Sequence, residues 1–287
     1  MKVKYSILSI LLLFLMMGCI SSSPQKEECI SVTIEPQRYF IEKIGGTDFQ
    51  VNCVIPSGQS PETYDPTPKQ IMQIGQSLAY FRIGYIGFEQ AWMSNLEKQN
   101  PHMRVFDLSK GMAFVENEES DTHHHGSVDP HIWTSMQGAR VIARNVRDAL
   151  IALKPEHQAE YTLRYDSLMQ EIADTEREMK LLLEPYKGTS FIIYHPALTY
   201  FAREFGLNQL CIELDGKEPS PAQLKELIET ARASQAKVVF VQQEFDQKNA
   251  ELIAQETGCR LVRINPLAYD WRKEMVNLAK ILAGDHE

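Results

Sequence analysis

Residues 156–183 read EHQAEYTLRYDSLMQEIADTEREMKLLL, a stretch without a glycine or a proline. Strong helix formers fill it, so the pattern predicts one continuous helix from about Glu156 to Leu183, some 40 Å long at ~1.5 Å per residue. That exceeds what one small domain needs and reads as a strut between two bodies. Just upstream a second helical region begins near Ser135, with Ala139, Ile142, Val146 and Leu150 on one face, and breaks near Pro155, whose ring cannot continue a helix. Farther out, strand-like and helix-like runs alternate on both sides. Upstream, apolar runs around Ile30, Val51, Phe81 and Val105 are separated by helical patterns that include one starting at Pro68. Downstream, runs around Ile192, Leu210, Val239 and Val262 alternate with four more helical patterns. Such alternation argues for parallel sheets. The expected class is therefore α/β: two similar lobes with parallel sheets, residues 29–154 and 187–287, joined by one long rigid helix over 155–186. A stiff strut also implies small lobe movements.

The chain has 287 residues, 44% of them hydrophobic, enough apolar material for two such lobes. With 29 Lys+Arg against 38 Asp+Glu the formal net charge is −9, and no long basic run appears; an acidic chain of this kind excludes nucleic acid as a partner and concentrates cations near its surface. Five cysteines, Cys19, Cys29, Cys53, Cys211 and Cys259, form no CxxC pair, which rules out a four-thiolate knuckle and does not resemble a disulfide-dense miniprotein. Cys29, Cys53 and Cys211 fall in or beside strand-like runs, where small buried thiols are common. At the N-terminus Lys2 and Lys4 precede an apolar run from Ile7 to Met17. Its length suits an export signal and is too short to span a ~30 Å hydrocarbon core. The run closes on Leu15-Met16-Met17-Gly18-Cys19, which resembles a bacterial lipobox. Residues 1–18 are expected to be cleaved, Cys19 to be lipidated, and residues 19–28 to tether the lobes outside the cytoplasm.

Ligands of open parallel sheets bind in the crevice beyond the carboxyl ends of the strands, which directs attention to residues just past each strand. Glu62 lies in the loop Pro56-Ser-Gly-Gln-Ser-Pro-Glu-Thr-Tyr-Asp-Pro-Thr-Pro68, His131 in Asp129-Pro130-His131-Ile-Trp133, His195 in His195-Pro196, and Asn265 in Asn265-Pro266. Neutral imidazoles and carboxylates are ligands for borderline divalent metals such as zinc and manganese. Two of these residues come from each half, so an ion held by all of them would sit between the lobes.

These segments occur in order with Gly45-Gly46, with Tyr200-Phe201-Ala202-Arg203 and with Glu218-Pro219-Ser220-Pro221. Together they resemble the zinc/manganese solute-binding lipoproteins of bacterial ABC importers, over nearly the whole chain from Ile30. The resemblance implies a periplasmic-type receptor: two α/β lobes bridged by a helix, one Zn2+ in the cleft with Mn2+ as the alternative, and delivery to an ABC permease in the inner membrane. It also implies a monomer held to the cell envelope, on its periplasmic face or the cell surface, through the lipid on Cys19. His131 and His195 match the family's second and third ligand positions. Glu62 stands where the family usually has His, which hardens the site, and Asn265 stands where many members have Asp. A neutral carbonyl is a weak zinc ligand, so water or Glu244, just past the strand around Val239, is the alternative fourth donor. The run His123-His124-His125 resembles a short form of the family's His-rich loop and would gather metal loosely.

Two other function classes fit parts of the pattern. Two His and a carboxylate also make a catalytic zinc set, hence a metallo-hydrolase, but no HExxH or nucleophile elbow accompanies it. A surface adhesin with a structural metal is the third. Tyr64, Trp133 and Tyr200 read as packing around the cleft, and His102, His157 and His286 as surface residues.

Overall fold

The computed structural model describes residues 28–116, 128–213 and 216–284. The leader 1–18, Cys19, all of the tether but residue 28, and the His123–His125 run lie outside them. The first lobe carries β1 (Cys29–Val32), α1 (Glu35–Gly45), β2 (Gln50–Cys53), α2 (Pro68–Gly75), β3 (Ala79–Arg82), α3 (Gly87–Gln99) and β4 (Arg104–Asp107). Two helices follow, α4 (Met136–Leu153) and α5 (Gln158–Leu183), separated by a single 3-10 turn at Pro155–His157. The second lobe runs β5 (Ser190–Ile193), α6 (Thr199–Phe205), β6 (Asn208–Cys211), α7 (Pro221–Ala233), β7 (Val238–Gln242), α8 (Lys248–Thr257), β8 (Arg260–Ile264) and α9 (Trp271–Leu282).

Local chemistry explains several of these boundaries. Thr67 and Ser220 each accept from the backbone N–H three residues on, with Gln70 and Gln223 returning the contact, and a proline occupies the first turn of both α2 and α7; this is the capping box with proline where its missing N–H costs nothing. Ser135 caps α4 in the same way through Gly138 N–H at 3.0 Å. Helix α5 has 26 residues, a little shorter than the sequence pattern predicts because Pro155–His157 takes up the first turn.

Both sheets are parallel and wound alike, in the orders β2-β1-β3-β4 and β6-β5-β7-β8. In each, the chain leaves an interior strand for one edge and returns on its other side. The order thus reverses between β1 and β3 and between β5 and β7, where crevices open at the carboxyl ends.

One buried cluster runs through both lobes, and a second lies within the second lobe alone. Helix α5 turns Tyr161, Leu168, Ile172, Thr175, Met179 and Leu183 inward, against α1 and α4 of the first lobe and α9 of the second. The strut predicted from the sequence is therefore one of two bridges: α9, at the end of the second lobe, packs back on the first. Trp271, at its first position, meets Phe40 at 5.4 Å between ring centroids, and its indole N–H donates to the Trp133 carbonyl at 2.6 Å. Trp133 in turn donates to the Pro266 carbonyl at 2.9 Å. Tyr200 O–H donates to the Asp129 carbonyl at 2.7 Å, and Glu204 accepts from Met136 N–H at 2.7 Å, placing a carboxylate at the positive end of α4. The four cysteines Cys29, Cys53, Cys211 and Cys259 are free thiols.

One buried carboxyl stands in the first lobe's crevice. Glu89 is 2% exposed, with Thr33 Oγ1 and the N–H groups of Ile83 and Gly84 donating to it. Burial pushes its pKa from 4.5 up to about 7, against the pull of those donors. The folded protein then holds a proton that the unfolded chain has already lost, and this contribution to stability falls as pH rises from about 4.5 to about 7. Glu89→Gln should flatten that part of the profile; denaturant midpoints collected in pH steps check it, and a slope identical to the parent protein's would show that other groups set it.

Candidate metal centre

The two imidazoles reach a common point by different routes. His131 follows Pro130 and enters the short 3-10 turn Ile132–Thr134 that precedes α4. Asp129 Oδ1 accepts from both its backbone N–H and its Nδ1, each at 2.8 Å. The residue is 6% exposed. His195 follows β5, two residues past its end, and its Nδ1 lies 3.2 Å from both oxygens of Glu213. Gln242 holds its backbone on both sides, donating Nε2 to the His195 carbonyl at 2.7 Å and accepting from its N–H at 3.3 Å. Phe245 stacks on its ring at 5.2 Å and 18°.

With carboxylates on both Nδ1 atoms, each neutral ring carries its proton on Nδ1 and presents a bare Nε2. These two nitrogens stand 3.3 Å apart. Two imidazole nitrogens each about 2.0–2.1 Å from a tetrahedral ion are about 3.3–3.4 Å apart, so the spacing matches shared ligation of one cation. Glu62 completes the group: one donor atom from each of Glu62, His131 and His195 lies within 4.8 Å of the others. Its Oε2 accepts from Gly87 N–H, the first residue of α3, at 3.0 Å, and its Oε1 is buried without a partner. Burial disfavours the charged form of His131, but Asp129, by charge and by hydrogen bond, outweighs it and raises the pKa above the usual imidazole value. Protons and metal therefore compete for His131, and metal binding weakens as pH falls.

The fourth sequence candidate stands apart from this group. Asn265 Oδ1 accepts from Leu267 N–H at 3.1 Å and its backbone N–H donates to Glu274 at 2.8 Å. That use of an Asn side chain is turn formation, and it brings Pro266 and Leu267, instead of Asn265, to the cavity wall. Glu244 does line the cavity, with Oε1 buried and unpartnered. Glu213 and Gln242 escaped the sequence reading, although both sit at the carboxyl ends of β6 and β7, where the strand-end rule applies to carboxylates and amides alike. Trp133 lines the cavity, whereas Tyr64 packs on Phe88 and donates to Gln70 at 3.0 Å. His102 and His157 lie elsewhere, against Gly75 and Asp48. The cavity itself measures about 30 Å³ and has Pro61, Trp133, Ala197 and Phe245 among its walls, room for an ion and about one water.

The family model described as zinc-uptake complex component A, periplasmic, matches residues 30–281. This chain belongs to that family. A crystal structure of a ZnuA superposes with a TM-score of 0.84 at 34% identity, over 90% of this chain and 99% of that one. The high-affinity zinc uptake system protein ZnuA of Bacillus subtilis (strain 168) is 26% identical over 251 residues, 83% of this chain and 78% of its own length. The zinc-binding protein AdcA of Streptococcus pyogenes serotype M3 is 24% identical over 268 residues, 86% of this chain and 52% of its own. The chain thus spans about half the length of its AdcA relatives. In this family member the groups around the candidate ligands are as closely placed as the candidates themselves. A Cβ on Gly87 would stand 2.9 Å from Glu62 Oε2 and closer still to the Glu62 carbonyl. Gly87→Ala, which displaces Glu62, and Glu213→Gln, which removes the carboxylate behind His195, are each expected to lower divalent-metal affinity about 10- to 100-fold. Competition titrations measure this, and parent-level affinity in both variants would refute the orienting roles.

Proposed function

We propose that this protein is an extracytoplasmic receptor that binds one Zn2+ between its lobes through Glu62, His131 and His195 and delivers it to an ABC permease. The observation that carries the reading is the pair of bare Nε2 atoms, one from each lobe, 3.3 Å apart beside a carboxylate with an unpartnered oxygen. Zinc is favoured by that spacing and by the names of the relatives, which are zinc-binding and zinc-uptake proteins; Mn2+ is the competitor that two or more oxygen donors would admit. Anchoring through a lipid on Cys19, action as a monomer and loose metal collection by His123, His124 and His125 complete the proposal.

Receptor chemistry fits the cavity better than hydrolysis does. No Lys or Arg stands among the described residues lining the cavity to hold a phosphate substrate. Both Nδ1 carboxylates are committed to orienting imidazoles, which removes them as general bases.

An ion bound by the folded state alone stabilises it by mass action, by about 2.7 kcal/mol at a hundredfold excess over the dissociation constant. Metal-free protein is therefore expected to take up one Zn2+ per chain and to melt several degrees higher in its presence. His195→Ala should abolish the shift, and deleting residues 123–125 should leave most of it. A melting transition unmoved by excess zinc and manganese would sink the receptor reading.

A further inference from the structure

The cavity holds a second carboxylate that three-residue ligation does not use. Glu244 lies just past β7, on the segment that already grips His195 from two sides: Gln242 pins the His195 backbone and Phe245 stacks on its ring. A turn between Gln242 and Phe245, closed by Phe245 N–H to the Gln242 carbonyl at 3.2 Å, fixes the Glu244 backbone between these two contacts. Its side chain lines the same cavity as the two imidazoles. Its own backbone N–H and the Gln243 side chain satisfy part of the carboxylate, but Oε1 is buried with no partner. Leaving a buried carboxylate oxygen unpaired is costly, and a cation is the partner that removes the cost.

Glu62 presents the same feature from the opposite lobe, one oxygen held by Gly87 and the other buried without a partner. Both orphan oxygens belong to carboxylates in the wall of one ion-sized cavity. We propose that Glu244 is the fourth metal ligand, so that each lobe supplies one imidazole and one carboxylate to the ion. The inference rests on the receptor reading above and sharpens it. Glu244 is not among the residues whose donor atoms already cluster within 4.8 Å; it closes on the ion by rotating its own side chain while the turn beneath it stays fixed. The four donors carry two negative charges, matched to a divalent cation. They replace the weak neutral carbonyl of Asn265, whose oxygen is committed to Leu267 N–H. A shell of two nitrogens and two oxygens is also harder than a three-imidazole shell, which narrows the gap between Zn2+ and Mn2+.

The test uses the full mature chain and four variants, Glu244→Gln, Glu244→Asp, Asn265→Ala and His195→Ala, titrated with Zn2+ and Mn2+ in competition with a chelator and loaded with Co2+ for its ligand-field spectrum. Glu244→Gln is expected to lower affinity about 10- to 100-fold for both ions, more for Mn2+, and to change the Co2+ spectrum. Glu244→Asp should lie between, because its carboxylate falls one methylene short, and Asn265→Ala should match the parent. Parent affinity and spectrum in Glu244→Gln, with binding lost in His195→Ala, would overturn the fourth-ligand assignment alone. So would full affinity in Glu244→Asp alongside a loss in Glu244→Gln, since charge without reach would then suffice. Unchanged binding in His195→Ala would overturn the underlying site instead.

Discussion

Two imidazole lone pairs 3.3 Å apart repel each other, and the same pair becomes attractive around a cation. The arrangement depends on Asp129 and Glu213, each of which holds a ring by Nδ1 and thereby turns Nε2 toward the other lobe. Since His131 belongs to the first lobe and His195 to the second, the spacing is only as well defined as the placement of one lobe on the other. That placement is over-determined. Trp271 bonds Trp133, Trp133 bonds Pro266, Tyr200 bonds Asp129 and Glu204 caps α4. Tyr200 and Trp133 also flank the segment that carries His131, so the contacts that join the lobes are the contacts that aim its ring.

A second tier of residues fixes the candidate ligands by means other than charge. Gln242 uses both ends of its amide on the His195 backbone, and Phe245 covers the ring face. On the other side, Glu62 reaches the cavity from a long loop, yet α3 anchors it through the N–H of its first residue. The Glu62 carboxylate is thus tied to a helix start, where a negative charge is favourably placed. Orientation by surrounding groups of this kind is what allows a cavity of about 30 Å³ to present converging donors.

Much of the fold was legible in the sequence, because its signals are local. Thr67-Pro68 and Ser220-Pro221 mark helix starts by capping chemistry, Ser135 marks another, and the glycine-free, proline-free run before Leu183 marks the strut. The apolar run around Val262 is the strand Arg260–Ile264, and the last helical pattern is the helix Trp271–Leu282. Departures cluster at the site. The helix that follows β5 begins only at Thr199, because the chain first turns, with Ala197 N–H on the His195 carbonyl at 2.7 Å, to present the ring to the cleft.

The sequence by itself determined the α/β alternation, the strut, and the candidacy of Glu62, His131 and His195, since residue type and position after a strand are enough to name a possible ligand. It did not determine which candidates meet. Asn265 and Glu244 are equally eligible by type and strand-end position; the turn at Leu267 takes the first out of the cavity and the turn at Phe245 leaves the second in its wall. Likewise Glu213 and Gln242 look unremarkable in one dimension, and the bridge made by α9 cannot be read from its own residues. Each depends on side chains far apart in the chain arriving at one place, and that is settled by packing, whose distances carry no trace in local sequence.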